Sequence, residues 1–189
     1  MVLMLFMNNN WHREALSLAK NAIHYPLKKG KSFVISESEI KSKELLEERA
    51  CFVTLHENGL LRGCIGNTEP FGKLYSAIIR NAELAAFSDP RFLPVEEHEL
   101  DKIVISISVL GLPKKLEYSN VDDLLSKLDI SKGVIIKKGL RQATFLPEVW
   151  EQFDDKVSFL EELCLKAGLS KDAWKKGVEV FVYDAELID

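Results

Sequence analysis

The dipeptide Asn58-Gly59 is the feature that most constrains the fold. Asparagine and glycine both accept the positive φ angles that a two-residue type I′ hairpin turn requires. The run from Cys51 to His56 before this turn is rich in β-branched and aromatic residues, and the run from Leu61 to Gly66 follows it. The sequence therefore predicts an antiparallel hairpin over residues 51 to 66.

The register of this hairpin decides which side chains share a face. With Asn58 and Gly59 as the loop, Leu55 lies opposite Arg62, and Val53 lies opposite Cys64. Alternation along each strand then predicts one face with Cys51, Val53, Leu55, Arg62 and Cys64, and a second face with Phe52, Thr54, His56, Leu61, Gly63 and Ile65.

Apolar residues recur at helical spacing in several segments. They predict helices over residues 11–24, 73–87, 120–128 and 157–167, the first of them ended by Pro26 and Gly30. Alternating and apolar runs predict strands elsewhere. These are a central strand from Ile103 to Leu110, a second hairpin over residues 133–145 and a closing strand over residues 178–184. Helices and hairpins are intermixed without βαβ repetition, so the predicted class is α+β with a mainly antiparallel sheet flanked by helices.

Length, composition and charge exclude several classes of protein. The 189 residues suffice for one sizeable core, or for one core with a smaller subdomain beside it. The hydrophobic fraction of 47% and charged fraction of 29% are typical of a folded globular chain. A net charge of -4 gives no global attraction for nucleic acid, which is therefore an unlikely main partner. The apolar run from Met1 to Met7 is too short to cross a bilayer, which takes about 20 residues, so no membrane association is expected.

The cysteines and histidines show no metal-ligand spacing. Cys51, Cys64 and Cys164 are odd in number and form no CxxC pair, which fits a reducing cytoplasm. His12, His24, His56 and His98 are scattered along the chain. We expect neither a metal site nor a bound cofactor.

Several blocks of the sequence resemble the AMMECR domain family, whose prokaryotic members are called AmmeMemoRadiSam system protein A. The hairpin carries the first two of these blocks, Phe52 to Leu55 and the motif Leu61-Arg62-Gly63-Cys64-Ile65-Gly66. The resemblance continues over Ala85 to Phe92, Pro94, Glu99-Leu100, Phe145 to Val149, Lys166 to Leu169 and Trp174.

The resemblance implies a single α+β domain over residues 1 to 189, built of two intermixed parts, the smaller of which forms a cleft where the motif residues gather. It also implies two partners, a radical S-adenosylmethionine protein and a Memo-like protein. It does not supply a reaction.

Cys64 is the candidate nucleophile. Arg62 lies two residues away, about 6–7 Å along a strand, and a cation at that distance favours the reactive thiolate. The predicted register nevertheless surrounds Cys64 with Val53 and Leu55 and puts His56, the nearest base, on the other face. The residues therefore favour a small buried core cysteine over a functional thiol.

Arg62 needs an explanation because an unpaired charge among apolar neighbours is costly. It pairs either with a carboxylate (Asp89, Glu69 or Glu99) or with an anionic ligand. Arg91 is a second candidate for binding an anion. Gly63 and Gly66 allow either close approach of a ligand or packing of the alanine-rich helix over residues 73–87 onto Gly63.

Three functions are consistent with these residues. The first is an enzyme, or a component of one, with Cys64 as nucleophile and a cleft that binds a small anionic ligand. The predicted ligand-binding residues are Arg62, Gly63, Gly66, Glu69, Asp89, Arg91 and Glu99. The second is a protein-interaction module in which Cys64 only packs. The third and weakest is RNA binding through basic residues of the second hairpin such as Lys137, Lys138 and Arg141.

Overall fold

The computed structural model describes residues 10 to 189, so the expectation about Met1 to Met7 lies outside the described residues. The described chain divides into two compact units, residues 10–109 with 187–189, and residues 110–186. Each unit is described by itself. The single-domain assignment and the cleft stay predictions.

The first unit contains two long helices and most of a four-stranded sheet. Its elements are α1 (Asn10–Lys29), β1 (Cys51–Glu57), β2 (Leu60–Gly66), α2 (Leu74–Phe87) and β3 (Ile103–Leu110), with 3₁₀ turns at Glu37–Glu39, Lys43–Leu46 and Glu97–Glu99. The second unit holds β4 (Lys114–Lys115), α3 (Val121–Lys127), β5 (Gly133–Lys138), β6 (Arg141–Phe145), a 3₁₀ helix at Pro147–Gln152, α4 (Lys156–Lys166), a 3₁₀ turn at Ala173–Lys175 and β7 (Glu179–Tyr183).

The last strand, β8 (Ala185–Ile188), completes the first sheet. That sheet has the strand order β2-β1-β3-β8, and the second has the order β4-β7-β5-β6. The pairs β1–β2, β1–β3, β5–β6 and β5–β7 are antiparallel, so the fold is α+β as predicted. The strand over Ile103–Leu110 is inside its sheet, which confirms its predicted central position.

The predicted elements are present with small shifts at their ends. Asn58 and Gly59 have φ angles of 52° and 79°, which confirms the turn. Pro26 does not end α1, which continues to Lys29 and stops at Gly30, where φ is 67°. The short strands β4 and β8 were not predicted, because two to four residues carry too little alternation to recognise.

Both long helices pack against one face of the first sheet. The fully buried side chains Val53, Leu55 and Ile107 form the sheet's contribution to this core. The helices contribute mostly small residues: Ala15, Ala19 and Ala22 from α1, and Ala82, Ala85 and Ala86 from α2. Small residues let the backbone of a helix come close to a sheet.

Gly63 is where α2 comes closest to β2. A Cβ atom built on Gly63 would lie 2.2 Å from the carbonyl oxygen of Ala85 and 3.1 Å from its carbon. No side chain fits at that distance, and the neighbour is backbone, which cannot rotate away. This contact confirms the predicted packing of the alanine-rich helix onto Gly63.

The second unit has its own aromatic core around α4. Trp150 stacks on Phe159 with ring centroids 3.5 Å apart and planes 6° apart, and Phe145 and Phe153 contact the same Phe159 ring. The N-terminus of α4 is capped by Asp155, whose carboxylate accepts the amides of Val157 and Ser158.

We expect Gly63→Ala to destabilise the protein by about 2–3 kcal/mol, because the new methyl group overlaps the α2 backbone. Urea unfolding followed by circular dichroism measures this change. Ser106→Ala is the matched control, since it removes only a hydroxyl group from the other face of the same sheet. A loss below about 0.5 kcal/mol for Gly63→Ala would show that α2 yields easily and would contradict the proposed constraint.

Candidate functional site

The β1–β2 hairpin contains a register shift that no local pattern in the sequence predicts. Near the turn, Glu57 pairs with Leu60 and His56 with Leu61, but the next pair is Leu55 with Gly63. Arg62 is therefore an extra residue on β2, which is the definition of a β-bulge. From this point the two strands are offset by one residue from the predicted register.

The bulge moves Cys64 to the face away from the helices. Cys64 pairs with Thr54, and Gly63, not Cys64, joins Leu55 and Val53 on the core face. The prediction that Cys64 shares a face with Val53 and Leu55 was wrong, because a one-residue slip exchanges the faces of β2. Cys64 is half-buried, and its Sγ accepts a hydrogen bond of 3.2 Å from the Thr54 hydroxyl group.

The same correction brings further polar groups to the face of Cys64. Thr54 pairs on its other side with Ser106 of β3, so a thiol and two hydroxyl groups form one row across three strands. His56 lies two residues from Thr54 and so shares this face, contrary to the prediction. Its position is diagonal to Cys64, where Cα atoms are about 7–8 Å apart and long side chains can meet. We call the face of Cys64, Thr54, His56 and Ser106 the outer face.

Asp89 and Arg91 hold the backbone of Cys64. Because β2 is an edge strand, the Cys64 amide and carbonyl would otherwise lack partners in the sheet. The Cys64 amide donates to Asp89 Oδ2 at 2.9 Å, and Arg91 Nη2 donates to the Cys64 carbonyl at 3.1 Å. Arg91 also donates to both Asp89 oxygens, through Nε at 2.9 Å and Nη2 at 2.7 Å. These bonds tie the segment after α2 to the middle of the motif.

The Asp89 carboxylate is held in its charged form. Its side chain is 2% exposed, and it accepts bonds from the Arg91 guanidinium and from the amides of Cys64 and Arg91. The Arg91 bonds, helped by these amides, lower the pKa of Asp89 well below its usual range against the opposing effect of burial. Asp89 is therefore an anion at neutral pH and fixes Arg91.

Four of the five N–H groups of Arg62 donate hydrogen bonds inside the protein. Arg62 binds Glu99 with two bonds, Nε to Oε1 at 2.7 Å and Nη2 to Oε2 at 3.1 Å. Two further N–H groups reach the carbonyls of Leu93 at 2.9 Å and Pro94 at 3.3 Å. The hydrogen bond with Arg62 lowers the pKa of Glu99, and the hydrogen bond with Glu99 raises the pKa of Arg62. Among the three candidates, Glu99 is the partner, and Arg62 ties the bulge to the 93–94 segment.

The other predicted ligand-binding residues lie apart from these contacts or are covered. Gly66 faces Phe52, whose ring atoms lie 2.3 Å from a Cβ built on the glycine, so the ring occupies the space expected for a ligand. Glu69 is exposed, and no ion pair involves it within residues 10–189. The structure therefore brings together Cys64 with Asp89 and Arg91, and Arg62 with Glu99. The ligand-binding roles of all these residues stay predictions.

Arg91 is the cation that faces solvent next to Cys64. Its side chain is 53% exposed, and its Nη1 has no hydrogen-bond partner in the described part of the chain. Arg91 thus has the position expected of Arg62: close to the cysteine, with one donor group unused. The sequence could not distinguish the two arginines, because their carboxylate partners depend on contacts 2 and 37 residues away.

The two remaining cysteines are buried and belong to other environments. Cys51 is fully buried, and burial raises the pKa of its thiol to about 12. Cys164 is also fully buried, and burial raises the pKa of its thiol. Cys64 is the only half-exposed thiol of the three.

Residues 10–189 contain neither a cluster of metal-ligating side chains nor a membrane-spanning helix. No group of three or more His, Cys, Asp or Glu side chains there has a geometry that could hold a metal ion. No helix in that range is long and apolar enough to span a bilayer.

We expect Asp89→Asn to destabilise the protein by about 2–3 kcal/mol near neutral pH, because it leaves Arg91 without its counter-charge. Folding lowers the pKa of Asp89. The stability that its carboxylate gives to the folded protein is therefore complete above the unfolded-state pKa of about 3.9 and is lost as the pH falls towards the folded-state pKa. The difference in unfolding free energy between wild type and variant should therefore narrow below about pH 4.

Urea unfolding at a series of pH values measures this difference. Glu69→Gln is the control, since Glu69 is exposed and should show a difference near zero throughout. A gap between wild type and Asp89→Asn that stays constant down to about pH 2 would contradict the charged role of Asp89.

Comparisons with known proteins identify the family of the chain. The AMMECR1 family model matches residues 16–188. A protein of Methanosarcina mazei is 42% identical over 178 residues, covering 93% of this chain and 89% of its own. A protein of Methanopyrus kandleri is 39% identical and covers 91% of this chain and 84% of its own. The crystal structure of an uncharacterised protein from Pyrococcus horikoshii superimposes with a TM-score of 0.85 at 34% identity, covering 94% of this chain and 90% of that one. The chain therefore belongs to the AMMECR1 family.

Proposed function

We propose that the outer face around Cys64 binds a small anionic ligand through Arg91 and presents the Cys64 thiol to it, as the ligand-handling component of an enzyme. The observation that carries this proposal is the bulge at Arg62, which turns Cys64 away from the core and towards Thr54 and the solvent-facing Arg91. On this face the thiol is half-buried, whereas Cys51 on the core face is fully buried.

The anion is expected at Nη1 of Arg91. Nε and Nη2 of this guanidinium are fixed by Asp89 and the Cys64 carbonyl, so Nη1 is held in a defined position before any ligand binds. A guanidinium group prefers carboxylate and phosphate oxygens. We therefore expect the ligand to carry a carboxylate or a phosphate next to its electrophilic carbon, the atom that the Cys64 Sγ would attack.

The outer face has the residue types that thiol chemistry needs. His56 is the candidate base that takes the Cys64 proton, and Arg91 is the cation that favours the resulting thiolate. Sγ would then bond to an electrophilic carbon of the ligand. The displaced electron pair moves to the leaving atom, and the imidazolium returns the proton to that atom.

The partners implied by the family resemblance extend this proposal. A radical S-adenosylmethionine protein and a Memo-like protein would supply or consume the ligand handled at Cys64. The alternative is a non-catalytic interaction module, and one observation favours it: the outer-face neighbours of His56 are Leu61 and Val104, which are 42% and 62% exposed. RNA binding has less support, because Lys138 and Arg141 of the second hairpin donate to the carbonyls of Lys176 and Gly168.

The thiol part of the proposal predicts selective alkylation. Iodoacetamide should modify Cys64 in the folded protein, while Cys51 and Cys164 react only after unfolding, since both are fully buried. Arg91→Gln should slow the modification of Cys64 by about three- to fivefold through loss of the cation, and inorganic phosphate or succinate at constant ionic strength should protect Cys64 in the wild type. Mass spectrometry of digests measures all three effects.

Lys31→Gln is the matched control, since it removes an exposed cation that makes none of these contacts. If iodoacetamide does not modify Cys64 in the folded protein, the proposal that Cys64 is a nucleophile is wrong. If phosphate and succinate also protect Cys64 equally in wild type and Arg91→Gln, the anion-binding role of Arg91 is wrong.

The partner part is tested by affinity capture from native extract with wild type, Arg91→Gln and Leu61→Ser as baits. Loss of a radical S-adenosylmethionine or Memo-like protein with Leu61→Ser alone would favour the interaction module. Identical partner profiles for all three baits would contradict docking through the outer face.

A further inference from the structure

The second unit contains a cavity that the Cys64 site does not involve. It has a volume of about 570 Å³, which lies in the usual range for ligand pockets, and it lies where the Pro147–Gln152 helix leads into α4. Its lining consists of Ile130, Ser131, Pro147, Trp150, Glu151, Phe153, Asp154, Asp155 and Lys156.

The apolar part of this cavity is rigid. Trp150 is stacked on Phe159, and its Nε1 donates to the Lys132 carbonyl at 2.9 Å, so the indole is fixed at both its face and its polar atom. Phe153 packs against the same Phe159 ring at a centroid distance of 5.5 Å. Trp150 is 7% exposed and Phe153 is half-buried, so the floor offers a small but fixed area of aromatic carbon to a ligand without a cost in side-chain ordering.

The polar part of the lining is acidic. Three carboxylates, Glu151, Asp154 and Asp155, stand beside one ammonium group, that of Lys156. Lys156 Nζ is directed to the carbonyls of Leu125 and Leu128 at 2.8 and 2.7 Å. Glu151 and Asp154 have no ion-pair or hydrogen-bond partner in the described part of the chain. The lining therefore has free negative charge.

The N-terminus of α4 does not change the preference of this acidic lining for a cation over an anion. Helix N-termini attract anions, but Asp155 already binds the Val157 and Ser158 amides at 2.8 Å each. An incoming anion would meet the Asp155 carboxylate before these amides. A cation meets three carboxylates over an aromatic floor, which is the combination that binds ammonium and guanidinium groups with apolar stems.

We propose that this cavity is a docking site for a basic, apolar segment of a partner protein, in which a lysine or arginine lies beside an aliphatic residue. The methylene stem of this lysine or arginine and the neighbouring aliphatic side chain cover Trp150 and Phe153. The charged end of the lysine or arginine pairs with Glu151 and Asp154. A protein segment fits better than a small organic cation, because the lining residue Ile130 is 63% exposed and apolar surface continues past the lining at Val157, 36% exposed.

The test uses the full-length protein and a synthetic peptide of about eight residues that alternates lysine and leucine. Two-dimensional ¹H–¹⁵N NMR titration should shift the amides of Ile130, Ser131, Glu151 and Asp154. Glu151→Gln with Asp154→Asn should weaken binding by about five- to tenfold, and Ile130→Ser by a few-fold. Asp155 is left intact because it caps α4.

Asp122→Asn with Glu162→Gln is the control, since it removes the same charge from exposed positions outside the lining and should leave the affinity unchanged. Peptides with glutamate for lysine, or serine for leucine, should not shift the lining amides. Shifts elsewhere, or equal binding of the glutamate peptide, would overturn the proposal. Binding of hexylammonium to the lining without binding of the lysine–leucine peptide would also overturn it, in favour of a small-molecule site.

Discussion

The contact between Gly63 and the carbonyl oxygen of Ala85 determines the arrangement of the motif. Because the α2 backbone lies where a Cβ would be, only glycine fits at this position of β2, and it has to face the helix. Its neighbour Cys64 must then face the other way, since successive residues of a strand alternate. The extra residue at Arg62 allows this register while the turn at Asn58-Gly59 keeps its ordinary geometry. The orientation of the thiol is thus a consequence of how closely a helix packs on the opposite face.

Two arginines of the same region have different roles because of how many of their donors are used. Arg62 donates to Glu99 twice and to two carbonyls, and its side chain is 14% exposed, so it has little left for a ligand. Its pair with Glu99 and its bonds to the carbonyls of residues 93–94 join the bulge to the 93–99 segment, and the pair of Asp89 with Arg91 joins Cys64 to the end of α2. Arg91 uses three of its five N–H groups, and the two on Nη1 have no partner within residues 10–189. The ion pairs are therefore mainly structural, and Arg91 replaces Arg62 as the candidate for binding a ligand.

Much of the fold could be predicted from local signals, whereas the register of the hairpin could not. Apolar periodicity and turn residues were enough for the helices, for the central strand β3 and for both hairpins. A bulge leaves no such signal, since Arg62 looks like any other residue of an alternating strand. One conflict in the sequence did point to it. The uniform register put Gly63 on the face opposite Val53 and Leu55, yet the alanine-rich helix was expected to pack on Gly63, and both expectations cannot hold without a shift. The choice of Glu99 over Asp89 as the partner of Arg62 was beyond sequence reasoning, because it depends on the path of the chain between residues 89 and 99.

The strict packing around the motif has a consequence for how a thiol site here can work. The backbone of Cys64 is held on both sides, by the ladder with β1 and by Asp89 and Arg91, and the glycine beside it leaves no space for adjustment. The groups that a ligand would meet are the Cys64 thiol, the Thr54 hydroxyl bonded to it and the outer half of Arg91, whose guanidinium is fixed by three hydrogen bonds. A ligand would therefore meet a preorganised set of groups, and little ordering entropy would oppose its binding. The same rigidity restricts which ligands fit, because the distance between the anion anchor and the thiol is set by the protein backbone. Selectivity at this site should then depend on the spacing between the ligand's charged group and its reactive carbon more than on the identity of the anion.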